Sequence, residues 1–564
     1  MSPDLQPRRR RPLSIARLVG MLLFIGLAAR LTRYLLDFPI WGDEAFVAVN
    51  FLLNDFSDMW QPLIYHQIVS LGYMWITLAV AKVFGTSEYA LRSVALVGGI
   101  AALFIFWRFA WTTIPKRAAV LALGFMAAAY YVIRHGAEVK NYGTDLLVSV
   151  ALSTLAWNVY RNQTSVARWI ALIAFGAVAI WLSLPAMFVI GGIGLLLLSM
   201  ILKRRAPHTL IGGAAFVAIV GVSAAVMVVT YAEPHARAVP EIKELGMWTM
   251  AFPLRQGWKL PLWLVVIHAG RMMAYPIGAE SGGSSLTLLL VIIGAVSLWR
   301  SGRRDLLLLL LGPLLFALAA AAMEKYPYGG TVRTMIFMGP AFCLLAGLGV
   351  YVAIWRLPWS AFWELLGRPA RPLRNEHNTE IRIAALILGF IGVGSIVNDL
   401  RSPFKTSADQ EVRDTMREFA EKWRPGDRTI VYMALDPEKS PPTMRAEYPA
   451  AEGAPPAWEY RGDGAVVLFN LARVIHGLPL FAPQIEAIAA GDAARTWVIR
   501  LRGPKYDEFF DVSAERTYMD GLVDLFGASA ARETTVLSRE RVKQPDGTKT
   551  SRVSRELVIE RFEN

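Results

Sequence analysis

Along most of this chain apolar residues come in unbroken runs and do not alternate with polar ones. Between residues 13 and 398 these runs are 17–24 residues long and are separated by short polar connections. About 20 apolar residues in a helix cross roughly 30 Å of hydrocarbon. The pattern predicts about eleven membrane helices, at 13–36, 89–112, 118–134, 142–160, 168–184, 186–202, 208–231, 284–300, 305–323, 334–355 and 382–398. Beyond 398 the pattern changes. Residues 399–564 are charged and punctuated by Pro and Gly, with one helix-like stretch at 409–423 and strand-like stretches at 429–433, 496–501 and 556–562. That stretch predicts a small soluble α/β domain following a helical membrane domain at 1–398.

Composition agrees with this reading: 55% of residues are hydrophobic and the mean hydropathy is +0.40, too apolar for an ordinary soluble globule. A net charge of +13 could signal a nucleic-acid binder, but its position suggests otherwise. Basic residues gather at 8–17, Lys116-Arg117, Arg161 with Arg168, Lys203-Arg204-Arg205, Arg300 with Arg303-Arg304, and 356–382. On the eleven-helix count every one of these falls on the same side, the inner side by the positive-inside rule. The N-terminus is then cytoplasmic, and 37–88, 232–283 and 324–333 are outer loops. Two further apolar stretches do not fit as spans. If 68–84 crossed, the next basic loops would be inverted, so it lies along the surface or re-enters. The stretch 257–276 carries Lys259 and His268 and suits an interfacial helix. The basic, then apolar, N-terminus has no small-residue cleavage site and reads as a retained first span. The single Cys343 allows no internal disulfide, and there is no zinc-type spacing, phosphate loop or dinucleotide fingerprint.

With this topology four polar groups reach the outer face: Asp43-Glu44 in Trp41-Gly42-Asp43-Glu44-Ala45; Tyr65-His66-Gln67; the turn from Arg134 through Glu138 and Lys140 to Tyr142; and Tyr326-Pro327-Tyr328-Gly329-Gly330 leading to Arg333. Such a set suits glycosyl transfer from a lipid-linked phosphosugar. A carboxylate takes the proton of an attacking hydroxyl, cations hold the departing phosphate, and Arg matches phosphate with a planar fork. One activated carboxylate fits single displacement with inversion. Each residue also has a plainer reading. The carboxylates can begin a solvated loop, Arg134, Lys140 and Arg333 can snorkel to headgroups, Glu138 can pair with Arg134 or Lys140, and the tyrosines can form an aromatic belt. A rival of another class is a secondary transporter or flippase for an anionic solute or lipid-linked sugar. That would call for polar residues and broken helices at the bilayer midplane.

Gly42-Asp43-Glu44 after one span, Gln61-Pro62-Leu63-Ile64-Tyr65, Gly72-Tyr73, Phe84-Gly85-Thr86-Ser87-Glu88-Tyr89-Ala90-Leu91-Arg92 and the late Tyr326–Arg333 motif resemble the GT-C class of glycosyltransferases. The closer branch holds the bacterial relatives of protein O-mannosyltransferases and lipid A aminoarabinose transferases. The resemblance covers about the first 400 residues. It implies a polytopic α-helical protein of a bacterial inner membrane with its C-terminal domain in the periplasm. It also implies a polyprenyl-phosphate sugar donor and a glycan, lipid or protein acceptor. By position, Asp43 is the expected base with Glu44 assisting or positioning it. Arg134, Lys140, Arg333 and Tyr142 are expected at the donor phosphate. His66, Glu138, Tyr326, Tyr328, Gly329 and Gly330 are expected around substrate. The chain departs from the family pattern in having a single Pro62 and no basic pair beside it, where Gln61 or His66 stands in. No cofactor is expected, since Asp43 and Glu44 offer too few ligands for a divalent metal.

Overall fold

A computed structural model describes residues 14–64, 67–204, 206–238, 249–278, 284–356, 377–432, 466–467, 469–471, 473, 485, 493, 495–502, 512–543 and 549–563. Each of the eleven predicted stretches is helical. In chain order the main helices are α1 (Ile15–Leu35), the short α2 (Gly42–Ala48), α3 (Leu71–Phe84), α4 (Glu88–Thr113), α5 (Lys116–Ala128), α6 (Tyr130–His135), α7 (Tyr142–Arg161), α8 (Val166–Leu182), α9 (Ala186–Arg204) and α10 (Pro207–Met227). They continue with α11 (Leu260–Ile267), α12 (Ser284–Arg300), α13 (Arg304–Ala322), α14 (Gly339–Arg356) and α15 (His377–Arg401). Among the described residues, seven helical runs are long and apolar enough to cross a membrane by length and composition.

Two predicted spans are broken near the polar end of the bundle. The 118–134 stretch divides at Ala129, whose extended backbone separates α5 from α6. The Tyr130 amide, freed there, donates to the Pro276 carbonyl at 2.8 Å. The 334–355 stretch starts as a 3-10 turn, Arg333–Met338, before α14. Both breaks turn polar side chains toward the same end of the bundle. α4 and α7 cross closely at Gly98 and Gly143. A Cβ on Gly143 would be driven into the Ala95 carbonyl, so glycine is what lets the 136–142 turn lie beside α4.

The two disputed stretches stay at that end. α3 has 14 residues, a length of about 21 Å, too short to cross. It begins against Trp181 and Leu182 at the end of α8, and it returns through Gly85, in the left-handed region, to the Ser87 cap of α4. α11 has eight residues and leaves Leu262, Val265 and Val266 exposed, which fits a helix lying in an interface.

The C-terminal part is a four-stranded sheet, β1 (Arg428–Tyr432), β2 (Arg495–Arg502), β3 (Ala531–Lys543) and β4 (Lys549–Glu563), in the order β1-β2-β4-β3. β1 and β2 are parallel; the other pairs are antiparallel. Side chains alternate between the faces. Val431, Trp497, Ile499, Leu557 and Ile559 join the large core that includes α16 (Ser407–Lys422), while Ile430, Val498 and Phe562 pack on α17 (Val512–Phe526). α16 buries Ala408, Val412, Thr415, Met416 and Phe419, the stripe of an amphipathic helix. Thr406 caps it by accepting the Asp409 amide at 3.2 Å. The predicted helix and three strands are present. β3 and α17 are additions to the expected pattern.

Candidate active site

The acidic pair lies in the first turn of α2, whose N-cap is Trp41. Successive helical residues point about 100° apart, so the two carboxylates meet different surroundings. Asp43 Oδ2 accepts from Arg333 Nη1, and Asp43 Oδ1 lies 3.4 Å from Lys140 Nζ. Lys140 also donates to Gln67 Oε1 at 2.9 Å. The late arginine, the 136–142 turn and the first loop therefore meet at one carboxylate. Burial acts to raise the Asp43 pKa, but Lys140 and then Arg333 outweigh it and hold the group below the ordinary carboxylate value. For Lys140, burial outweighs the attraction of Asp43 and lowers its pKa.

Glu44 faces the bundle and is buried. It accepts a two-pronged bond from Arg92, Nε to Oε1 at 2.8 Å and Nη2 to Oε2 at 2.7 Å, and Oε1 also takes the Val139 amide at 2.7 Å. Arg92 donates further to the Phe38 and Pro39 carbonyls. Glu44 thus ties α2, α4 and the 136–142 turn together.

A second ionic cluster backs the first. Glu138 Oε2 lies 2.8 Å from His135 Nδ1, and Glu138 Oε1 lies 2.8 Å from Lys405 Nζ. Arg134 Nε is 3.9 Å from Glu138 Oε1. Lys405 sits over the Trp41 ring, 2.9 Å from its centroid, and Arg333 lies 6.0 Å from the same ring. Burial acts to raise the Glu138 pKa, but His135 and Lys405 more than offset it and keep the group well below the usual carboxylate range. Burial lowers the Lys405 pKa to about 8 against the pull of Glu138.

A cavity of about 200 Å³ opens beside Asp43. Lys140, Tyr142, Tyr326 and Arg333, all named as candidates above, line it. Gln67, Asn141, Asp145 and Thr334 line it as well. Asp145 is buried and accepts Asn141 Nδ2 at 3.0 Å on each oxygen. Other expected residues lie elsewhere. Arg134 is beside Glu138, outside the lining. Tyr328 is buried against Trp263 and bonds His268 Nε2 at 3.0 Å through its hydroxyl. Gly329 has a positive φ of 62°, and a Cβ there would meet Ile267 and Met272 at 2.8 Å, so it seats the 326–333 loop on α11. Gly330 is buried next to it, outside the lining. His66, with Tyr65, lies outside the described residues. Among the described residues no group of three or more His, Cys, Asp or Glu is gathered in metal-binding fashion.

Arg92 is read above only as part of a motif and given no place in the site, and Lys405 and Asp145 are not singled out. Arg92 sits inside an apolar run, Lys405 is 267 positions from its partner Glu138, and Asp145 lies within a predicted span. An ionisable residue inside a span is a general pointer to function, and it could have flagged Arg92 and Asp145.

Neither a known family profile nor a curated protein sequence matches the chain. Among solved structures it is similar to ArnT from Cupriavidus metallidurans bound to undecaprenyl phosphate, with 14% identity, 96% of this chain and 97% of that chain covered, and a TM-score of 0.55. The apo state of the same protein gives 14% identity, 97% and 98% coverage and a TM-score of 0.52. AglB from Archaeoglobus fulgidus, an archaeal oligosaccharyltransferase in complex with an inhibitory peptide and a dolichol-phosphate, gives 13% identity, 96% and 74% coverage and a TM-score of 0.46. The likeness to ArnT spans nearly the whole of both chains. At this identity it establishes architecture, and this chain has the GT-C fold to which its loop motifs point.

Proposed function

We propose that this protein is an inverting glycosyltransferase that moves a sugar from a polyprenyl-phosphate donor to an acceptor hydroxyl at the extracytoplasmic face of a bacterial inner membrane. One observation carries the reading: Asp43, Lys140 and Arg333, from three separate segments, meet at one cavity. The shared fold supports it, because ArnT in that fold is bound to undecaprenyl phosphate. The three charges sum to about +1, which suits a singly charged phosphodiester.

In this reaction the acceptor oxygen bonds to the anomeric carbon, the carbon–oxygen bond to phosphate breaks, and the polyprenyl phosphate leaves with the electron pair. Asp43 takes the acceptor proton. Its pKa is low while both cations rest on it, so it is a weak base in the empty site. A donor phosphate competes for Arg333 and Lys140, and drawing them away restores basicity to Asp43 as the substrate arrives. Arg333 and Lys140 then face the oxygen on which negative charge develops. Tyr142, Tyr326, Asn141 and Asp145 share the cavity and offer partners for sugar hydroxyls. Gln67 orients Lys140. Glu44 holds the middle of the 136–142 turn through the Val139 amide, and Glu138 ties its start to His135 and Lys405.

Asp43→Asn keeps the shape of the site and removes the base. Transfer should fall by at least about 100-fold, the lower end of the usual worth of a general base. The measurement is mass spectrometry of envelope glycans from cells carrying the parent or substituted chain. A sugar present with the parent and missing with Asp43→Asn identifies donor and acceptor class together. An unchanged glycan profile rejects the assignment. A liposome flux assay separates this reading from transport, which would persist without chemistry.

A further inference from the structure

At the end of the bundle away from Asp43, α9 and α13 run antiparallel. They touch at Gly192 and Gly312, where a Cβ on Gly312 would lie 2.9 Å from the Gly192 Cα. From that contact toward the basic ends of the two helices, a cavity of about 470 Å³ opens on the flank of the bundle. Its wall is apolar, with Leu195 from α9 and Leu308 and Leu311 from α13. Its far lip is Lys203, Arg304 and Trp299. Leu198, Leu202 and Leu315 around it are exposed, so its open side belongs in hydrocarbon.

The lip is a built feature. Asp305 accepts Lys203 at 2.6 Å, Ser199 at 2.7 Å and Tyr160 at 2.9 Å, which fixes the lysine stem. An ammonium has three donors, and the Asp305 contact engages one. The Arg304 guanidinium lies 4.3 Å from the Trp299 ring centroid, which sets its plane. Arg303, stacked 5.8 Å from Trp157, adds a further charge at the same end. The lip is therefore net positive, with a single carboxylate among these groups.

We propose that this groove binds one anionic phospholipid, its phosphate on Arg304 and Lys203 and an acyl chain along the leucine wall. Charge complementarity selects the occupant. A zwitterionic headgroup would bring a cation toward the arginine, and a free phosphate would leave the leucine wall unused. Basic pockets between membrane helices on the cytoplasmic side are general sites for such headgroups. The inference uses the membrane reading of these helices and is independent of the transfer reaction.

The test is native mass spectrometry of the full chain in detergent, with phosphatidylglycerol or phosphatidylcholine of matched acyl chains. The parent should retain one phosphatidylglycerol about fivefold more than phosphatidylcholine, the worth of about one basic residue at a surface. Arg304→Gln should erase that preference. Leu308→Trp, which fills the wall and leaves the charges, should cut retention of both lipids. Inorganic phosphate at the same concentration should fail to displace the lipid. Equal retention of the two lipids by the parent, an undiminished preference in Arg304→Gln, unchanged retention in Leu308→Trp, or displacement by inorganic phosphate would each overturn the proposal. Thermal unfolding of each variant establishes that it is folded, and Lys203→Gln replaces Arg304→Gln if the latter is not.

Discussion

Asp43 and Glu44 are adjacent in sequence and opposite in surroundings, and this separates their roles. Glu44 and Arg92 have side chains only 2% and 3% exposed, and each is the other's main ionic partner. Removing one member of such a pair leaves a buried uncompensated charge, at a cost of about 3–5 kcal/mol. Glu44→Ala should therefore lower the melting temperature of the detergent-solubilised protein sharply, and adding Arg92→Met should recover part of the loss. Asp43→Asn should lower the melting temperature less than Glu44→Ala does, because Asp43 is 20% exposed beside an open cavity and asparagine keeps an oxygen that can accept from Arg333. Arg333→Ala should raise KM for the donor more than that for the acceptor in steady-state kinetics, since it removes a phosphate partner; an unchanged donor KM rejects that role. The dipeptide stands out in the sequence because two carboxylates at a membrane boundary are costly without a purpose. Which of them faces the cavity depends on the 100° helical step and on an arginine 48 residues away, and neither is visible in a local pattern.

Among the elements, the segment joining the last apolar helix to α16 does more than connect. It carries Lys405 onto Trp41 and Glu138. Arg413 of α16 donates to the Asp37 carbonyl at 2.7 Å, and Arg473 reaches Glu88 at 3.2 Å. Basic groups of the C-terminal part thus meet acidic groups around the first loop. A chain ending after residue 401 would strip Glu138 of its lysine and Trp41 of its cover, so it should lose transfer even if the membrane helices fold. Lys405 also predicts a pH dependence. Glu138 stays ionised across the neutral range, so the pair holds while Lys405 is protonated and fails as pH rises through about 8. Activity should therefore show an alkaline limb near pH 8 that moves upward in Lys405→Arg and vanishes, at low activity, in Lys405→Met. An alkaline limb that is the same in all three chains would show that Lys405 has no part in it. The spans and most strands were legible because apolar runs and alternation are local signals. The breaks at Ala129 and before Gly339, and the reach of Lys405, arise from tertiary contacts and have no such signal.

Over the whole molecule, the cavity at Asp43 and the groove at Arg304 occupy opposite ends of the same helices. Pro185, just before α9, and Tyr326, just after α13, line the first; Lys203 and Arg304, at the other ends of those helices, line the second. A 19-residue helix separates such ends by about 27 Å, close to the thickness of the hydrocarbon core. Among the described residues, the basic connections at Lys116-Arg117, Arg161 with Arg168, and Arg300 with Arg303-Arg304 fall at the end away from Asp43, the polarity the loop charges anticipated. The C-terminal sheet, tied through Lys405, Arg413 and Arg473, belongs with the acidic end. If the basic end is cytoplasmic, both the reaction and the C-terminal part lie outside. Cys343 is the chain's sole cysteine and is fully buried, so the parent gives a silent background for thiol labelling. Ser57→Cys lies in the exposed first loop, and Ser301→Cys lies at the exposed turn between α12 and α13. In intact cells with a permeable outer membrane, a membrane-impermeant maleimide should label Ser57→Cys. It should reach Ser301→Cys only after the inner membrane is opened. Labelling of both in intact cells, or the reverse pattern, would place Asp43 on the wrong side for an acceptor in the envelope, because a base can serve only a hydroxyl that shares its compartment.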